Sequence, residues 1–211
     1  MVNVRENFQL PLSEEMLFSW HRMLMKGSRS IDAGQWRTNS EPMQVVSGAY
    51  GKEKVHFEAP PSKQVPKEME AFLKWFNESA PGGSKEIAKA PLRSAIAHTY
   101  FETIHPFEDG NGRIGRAISE KAISEGIGRP ALISLSRTIE AKKNDYYNAL
   151  KEAQSSNDLT NWVNYFVKVV VDAQTDAEEI ISFTVKKSKF FSRFGKTFNE
   201  RQLKVIKRML E

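Results

Sequence analysis

Twelve consecutive residues hold most of the groups in this chain that could do chemistry: His105-Pro106-Phe107-Glu108-Asp109-Gly110-Asn111-Gly112-Arg113-Ile114-Gly115-Arg116. A histidine can take up a proton near neutral pH. Asp109 offers the hard oxygen that Mg²⁺ accepts when it also binds phosphates. Gly110 and Gly112 let the backbone turn tightly and approach a ligand. The helical pattern that follows would point its free N–H groups and the positive end of its dipole at an anion. Arg113 and Arg116, three apart, lie near one another on that helix and can grip phosphate oxygens. Base, metal ligand, anion turn and clamp in one workable order suit a polyphosphate.

The flanking sequence must position this loop. Pro91 opens a helix whose residues Leu92 to Ile104 are apolar around nearly the whole circumference, so it should be central and buried. It delivers His105 at its C-terminal end, where the dipole should favour the protonated ring. Pro106 stops it, and Phe107 reads as an anchor into the core. A second central helix runs from about Asn111 to Gly126 and buries Ile114, Ile118 and Ala122.

Residues 1–12 read as extended. Ser13 is an N-cap before a helix with Glu14 and Glu15 in its first turn and Trp20 and Met23 in the core. His21 reads as a surface or partly buried residue, and His98 as a packed core histidine. Met43–Ser47 and Lys54–Glu58, around Gly48-Ala49-Tyr50-Gly51, form a small β-hairpin. Pro66 falls in the first turn of a third helix, ahead of the stripe Met69, Phe72, Leu73 and Phe76. One helical pattern covers 137–154. A long helix, capped by Asp158 or Thr160, runs to about Phe191, and Asn199 can cap a last one.

The twelve residues match, at every specified position, the motif His-Pro-Phe-x-Asp/Glu-Gly-Asn-Gly-Arg-x-x-Arg, and the chain resembles the Fic (Fic/DOC) family in its adenylyltransferase form. The resemblance implies an all-α bundle over 1–195 with the hairpin as a flap beside the active site. The basic remainder, 196–211, resembles the start of a winged helix. The family's chemistry implies ATP as substrate, with Mg²⁺, and AMP transfer to a Ser, Thr or Tyr hydroxyl of a protein. His105 would be the base and Asp109 the metal ligand. Gly110, Asn111, Gly112, Arg113, Gly115 and Arg116 would bind the phosphates, the Asn111 side chain included. Tyr146, Tyr147 and Gln154 fall where the family lines the adenine and ribose, although Gln154 replaces the usual Asn. Val45, Val46 and Ser47 on the flap would receive the target protein as an added strand. Gly34-Gln35-Trp36-Arg37 and Pro60-Pro61 resemble the flanks of that flap.

Many members restrain themselves with Ser/Thr-x-x-x-Glu-Gly/Asn, whose Glu meets the second motif arginine, here Arg116. Glu6-Asn7 has Val2 at the first position and Glu125-Gly126 has Lys121, so neither fits. The expectation is a chain not self-inhibited as written, restrained by an inhibitory helix or antitoxin at Arg116. A homodimer is a further expected partner. A phosphotransferase of the Doc type is the alternative; Gly112 stands where that type has Lys.

The chain has 211 residues, 40% of them hydrophobic, enough for a core, and no cysteine, which is compatible with a cytoplasmic setting. No apolar run reaches membrane-spanning length, so no membrane is expected. The net charge of +5 is unevenly spread: 186–211 holds nine of the 31 Lys/Arg and two of the 26 Asp/Glu, leaving 22 basic and 24 acidic residues in 1–185. A DNA-binding regulator would rest on that basic end, but with one candidate helix there nucleic acid is not an expected partner of this chain alone.

Overall fold

The structure, a computed structural model, describes residues 2–28, 31–39, 43–47 and 54–210. Its elements run α1 (Val2–Glu6), α2 (Glu14–Leu24), β1 (Gln44–Ser47), β2 (Lys54–Glu58), α3 (Val65–Glu78), α4 (Ala90–Ile104), α5 (Asn111–Ile127), α6 (Leu135–Ala141), α7 (Lys143–Gln154), α8 (Thr160–Phe194) and α9 (Glu200–Met209). Among the described residues this is an all-α bundle with one two-stranded hairpin.

The antiparallel pair α4 and α5 is its axis. Almost every turn of α4 buries a residue, polar ones included: Arg93, Ser94, His98, Thr99 and Glu102. α2 and α3 close one side around Trp20, Phe72, Phe76, Phe101 and Phe107. α6, α7 and the first half of α8 close the other around Tyr146, Leu150, Trp162 and Phe166. A close approach fastens the pair, since a Cβ on Gly126 would lie 2.4 Å from the Ala90 Cβ. A buried charge cluster holds its far end. Arg93 and Lys121 both bond Glu125, at 2.6 and 2.8 Å. Arg93 also donates to the Phe76 carbonyl, and Lys121 to the carbonyls of Phe8 and Leu10.

Several local expectations hold. Ser13 caps α2 by accepting from the Met16 N–H at 3.2 Å. Asn199 and Gln202 form a reciprocal capping box at α9. Others do not. Residues 2–6 are helical, because Val4 finds a buried place against α5. Met23 is 52% exposed. The 137–154 pattern breaks at Lys142 (φ −133°, ψ 46°), which lets α6 and α7 both lie on α8. Asp158 bonds the Thr160 N–H from just outside α8.

β1 and β2 pair antiparallel, Val45 opposite Phe57, Val46 opposite Val55 and Ser47 opposite Lys54, with a register shift between Val45 and Val46. β2 lies beside α7. The turn 48–53 lies outside the described residues.

Candidate active site

His105 ends α4 in the left-handed region (φ 50°, ψ 59°), alone among the described non-glycine residues in having positive φ. That turn takes the ring off the helix path, and Pro106 prevents its return. Arg37 holds the bend. It is 3% exposed and donates from Nε to the His105 carbonyl at 2.8 Å and from Nη2 to the carbonyls of Pro60 and Ile104. Its backbone N–H bonds the Pro106 carbonyl at 2.9 Å. One guanidinium thus caps α4 and ties it to the exit of the hairpin.

His21 holds the other end of the loop, and it is fully buried, against expectation. Its Nδ1 accepts from the Gly34 N–H at 2.9 Å, so its Nε2 carries the proton and donates to the Asp109 carbonyl at 3.2 Å. Its ring stacks on Phe107 at 4.1 Å. Burial pulls its pKa down and keeps it neutral. Phe107 is the anchor that the sequence implied.

Asn111 has a structural task that the sequence did not suggest. Its side chain accepts from the Phe107 N–H at 2.9 Å and donates to the Phe107 carbonyl at 2.7 Å, both buried. It closes the loop on itself with one amide N–H and its carbonyl oxygen, and its backbone N–H stands at the helix start. α5 starts there without a side-chain cap, after Gly110 at φ 85°. A side chain at Gly110 would be strained and would meet Met25 and Leu24. The first N–H groups of a helix have no partner inside it, and those of Asn111 and Gly112 find none among the described residues. Arg116 folds back along α5: its Nη1 lies 3.2 Å from where a Gly112 Cβ would stand, and its Nε donates to Ser136 at 2.9 Å. Arg113 bonds Asp109 at 3.2 Å, with both side chains about half exposed. A pair so exposed contributes little and is readily exchanged for a ligand.

The imidazole of His105 is 16% exposed. Burial, assisted by Arg37, lowers its pKa to about 4 against the opposing pull of the Glu102 carbonyl and Asp109. The helix-end dipole does not win as expected, and the ring is neutral, the form a base requires.

Gly115 gives Glu102 room, a Cβ there falling 2.4 Å from Glu102 Oε1. Tyr146 is core. Its hydroxyl donates to His98 Nε2 at 2.9 Å, His98 Nδ1 meets Ser119 Oγ at 3.1 Å, and that hydroxyl donates to the Gly115 carbonyl at 2.9 Å. This relay braces α4, α5 and α7 beneath the loop, and burial takes His98 down to about 3. Tyr147 is 37% exposed beside Tyr146, their ring centroids 5.2 Å apart. Gln154 donates to the Glu102 carbonyl at 3.3 Å, so it braces the end of α4. Val45, Val46 and Ser47 lie on β1 as expected.

Among the described residues no three His, Cys, Asp or Glu gather into a protein-only metal site. A single carboxylate beside a phosphate cradle still fits Mg²⁺, which is commonly held by one or two carboxylates plus phosphates. His21 and Arg37 escaped sequence reasoning because their partners are distant in the chain, and Glu102 because its nearness to His105 depends on the left-handed turn that ends α4. Arg37 alone gave a hint, lying in a run that resembles the flap's flank.

A helical bundle that joins a neutral histidine to an uncapped helix start and two arginines defines a class of anion-handling site. The Fic/DOC family model matches residues 11–123, more than half of the chain, and the chain belongs to that family. It is similar to a probable protein adenylyltransferase of Aquifex aeolicus, 32% identical over 98 residues, 46% of this chain and 27% of that protein. It is also similar to the protein adenylyltransferase fic-1 of Caenorhabditis briggsae, 26% identical over 158 residues, 74% of this chain and 27% of that one. A solved Fic family protein of Desulfovibrio desulfuricans superimposes with a TM-score of 0.66 at 28% identity, over 86% of this chain and 51% of its own. The chain spans about a quarter of the length of these curated relatives.

Proposed function

We propose that this chain transfers AMP from ATP to a hydroxyl group of a protein laid along the hairpin. The observation that carries the reading is a neutral, mostly enclosed histidine at one end of a loop whose other end is an uncapped helix start flanked by Arg113 and Arg116. The names of the relatives support it.

The backbone N–H groups of Asn111 and Gly112 receive phosphate oxygens, and Arg116, tethered to Ser136, meets the far end of the triphosphate. Arg113 leaves Asp109 for the β-phosphate. Asp109 is the residue that would hold Mg²⁺, which supplies charge neutralisation on the phosphates. His105 takes the proton of the target hydroxyl as its oxygen bonds the α-phosphorus. The bond from that phosphorus to the bridging oxygen breaks, and pyrophosphate leaves with the electron pair. General-base help of this kind is worth roughly 10²–10⁴-fold, and the preorganised donors add electrostatic stabilisation. Tyr147, rather than Tyr146, is the candidate for the base of the nucleotide. The target segment pairs with a free edge of the β1–β2 ribbon. A cytoplasmic setting, where ATP is at hand, completes the reading; among the described residues no helix is long and apolar enough to cross a membrane.

The test is label transfer to lysate proteins from ATP labelled at the α- or the γ-phosphate. Label should arrive from the α-position and vanish with His105→Ala. Transfer of the γ-label, or α-transfer indifferent to His105→Ala, would overturn the reading.

A further inference from the structure

One buried acid beside the site has no part in the mechanism so far. Glu102 lies one turn before His105 on α4 and is 4% exposed. Its Oε1 has no hydrogen-bond partner, and neither has the equally enclosed Nδ1 of His105. The two side chains are neighbours: the other carboxyl oxygen, Oε2, stands 3.9 Å from Nδ1. The Glu102 carbonyl is near enough to favour the protonated ring, but no hydrogen bond of normal geometry reaches Nδ1. Buried polar groups are almost always paired, so two adjacent exceptions call for a reason.

The surroundings keep the carboxyl in place. Gly115 leaves the space that Oε1 fills, and any side chain there would push it out. The charged neighbour is Arg116 on α5, while Tyr146 on α7 adds a neutral hydroxyl. Around His105 the charged groups are Arg37 and Asp109. The end torsion of a glutamate is broad, so a small rotation can close the gap of 3.9 Å.

We propose that Glu102 is the positioning residue of the base: its carboxylate accepts Nδ1–H of His105, fixes the ring with the Nε2 lone pair toward the target hydroxyl, and stabilises the imidazolium formed when that proton arrives. The inference rests on the reading of His105 as base. The hydroxyl O–H bond breaks onto Nε2, while the Nδ1 proton stays between ring and carboxylate and is not transferred. A carboxylate that orients a histidine in this way acts through tautomer and charge. Burial raises the carboxyl to about 7, against the pull of Arg116, so a substantial share is carboxylate near neutral pH, and burial holds the ring neutral at about 4 until the hydroxyl proton arrives.

Two measurements test it. The imidazole ¹⁵N spectrum of the full chain is tractable, with four histidines, and His105→Ala assigns the ring of interest. The wild type should show the Nδ1–H tautomer at His105, and Glu102→Leu should shift it to Nε2–H. In the AMP-transfer assay, Glu102→Gln should lose at least tenfold in kcat with the KM for ATP unchanged and the melting temperature not lowered. Glu102→Asp should recover less than Gln retains, because its shorter arm cannot reach Nδ1. An Nε2–H tautomer in the wild type overturns the proposal. So does Glu102→Gln with wild-type kcat, or with a loss matched by a lower melting temperature. If the wild type transfers no AMP, the functional reading falls, and the spectrum still decides whether Glu102 holds the ring.

Discussion

Gly115→Ala and Gly126→Ala place the same methyl group at two points of α5, and the structure separates their effects. At Gly115 the new Cβ would stand 2.4 Å from Glu102 Oε1 and 3.3 Å from His98 Cε1. At Gly126 it would stand 2.4 Å from the Ala90 Cβ and 3.3 Å from the Ala90 Cα. Replacing a glycine in a helix interior by alanine gains about 0.5–1 kcal/mol from the backbone, less at Gly126 in the last turn of α5, and overpacking costs about 1–3 kcal/mol. The net is a loss of roughly 1 kcal/mol at each site, or about 2–4 °C in a chain of this size. Only the first change displaces the carboxyl beside His105. Thermal melts followed by circular dichroism should therefore fall for both variants. Transfer of α-label should drop at least tenfold for Gly115→Ala alone, and should stay within about twofold of wild type for Gly126→Ala, as roughly expected when the chemistry is untouched. A Gly115→Ala protein as active as wild type, or melting above it, would refute the reasoning.

Glu125→Ala strands the guanidinium of Arg93 and the ammonium of Lys121 without their carboxylate partner. Breaking a buried pair costs about 3–5 kcal/mol, and urea denaturation should show a loss of that order. Asn111→Ala opens the ring it closes on Phe107; it should bind ATP more weakly with His105 intact, and unchanged affinity in calorimetry would count against the loop's dependence on it. Stability should fall as pH drops from about 6.5 toward 4. His98 and His105 titrate at about 3 and about 4 when folded, so the unfolded chain binds more protons in that window. Urea midpoints that stay flat from pH 7 to 5 would contradict their burial as neutral rings. Glu102 acts with the opposite sign. Its raised folded pKa of about 7 adds stability that is full below its unfolded pKa and is lost as pH rises through 7. Glu102→Gln should therefore be at least as stable as wild type at pH 8, by the same urea measurement.

The features legible in the sequence are those written in short stretches of chain. The loop 105–116, the Ser13 and Asn199 caps and the hairpin each depend on residues within a few positions of one another. His98 was legible as core because it stands on a helix apolar on all sides. His21 was not, since its two bonds span 13 and 88 positions. Nothing near His21 reveals that Gly34 and the Asp109 carbonyl will arrive beside it. The bonds of Asn111 to Phe107 were not legible, because its type suits either a phosphate or a loop carbonyl and only the folded turn brings the Phe107 backbone to it. Tyr146 and Tyr147 look alike in sequence, yet the helix turns one into the core and the other outward. The short α1 depends on a place against α5 that local propensity cannot express.

Arg37 has a mechanical consequence. Its guanidinium clasps the hairpin exit at Pro60 with one nitrogen and the His105 carbonyl with another. A planar, delocalised group does not fold between its own nitrogens, so the two anchor points keep a fixed spacing. On the proposed function, traction on the ribbon as a guest polypeptide settles there would be handed directly to His105. Ribbon and histidine in this molecule thus share a single rivet.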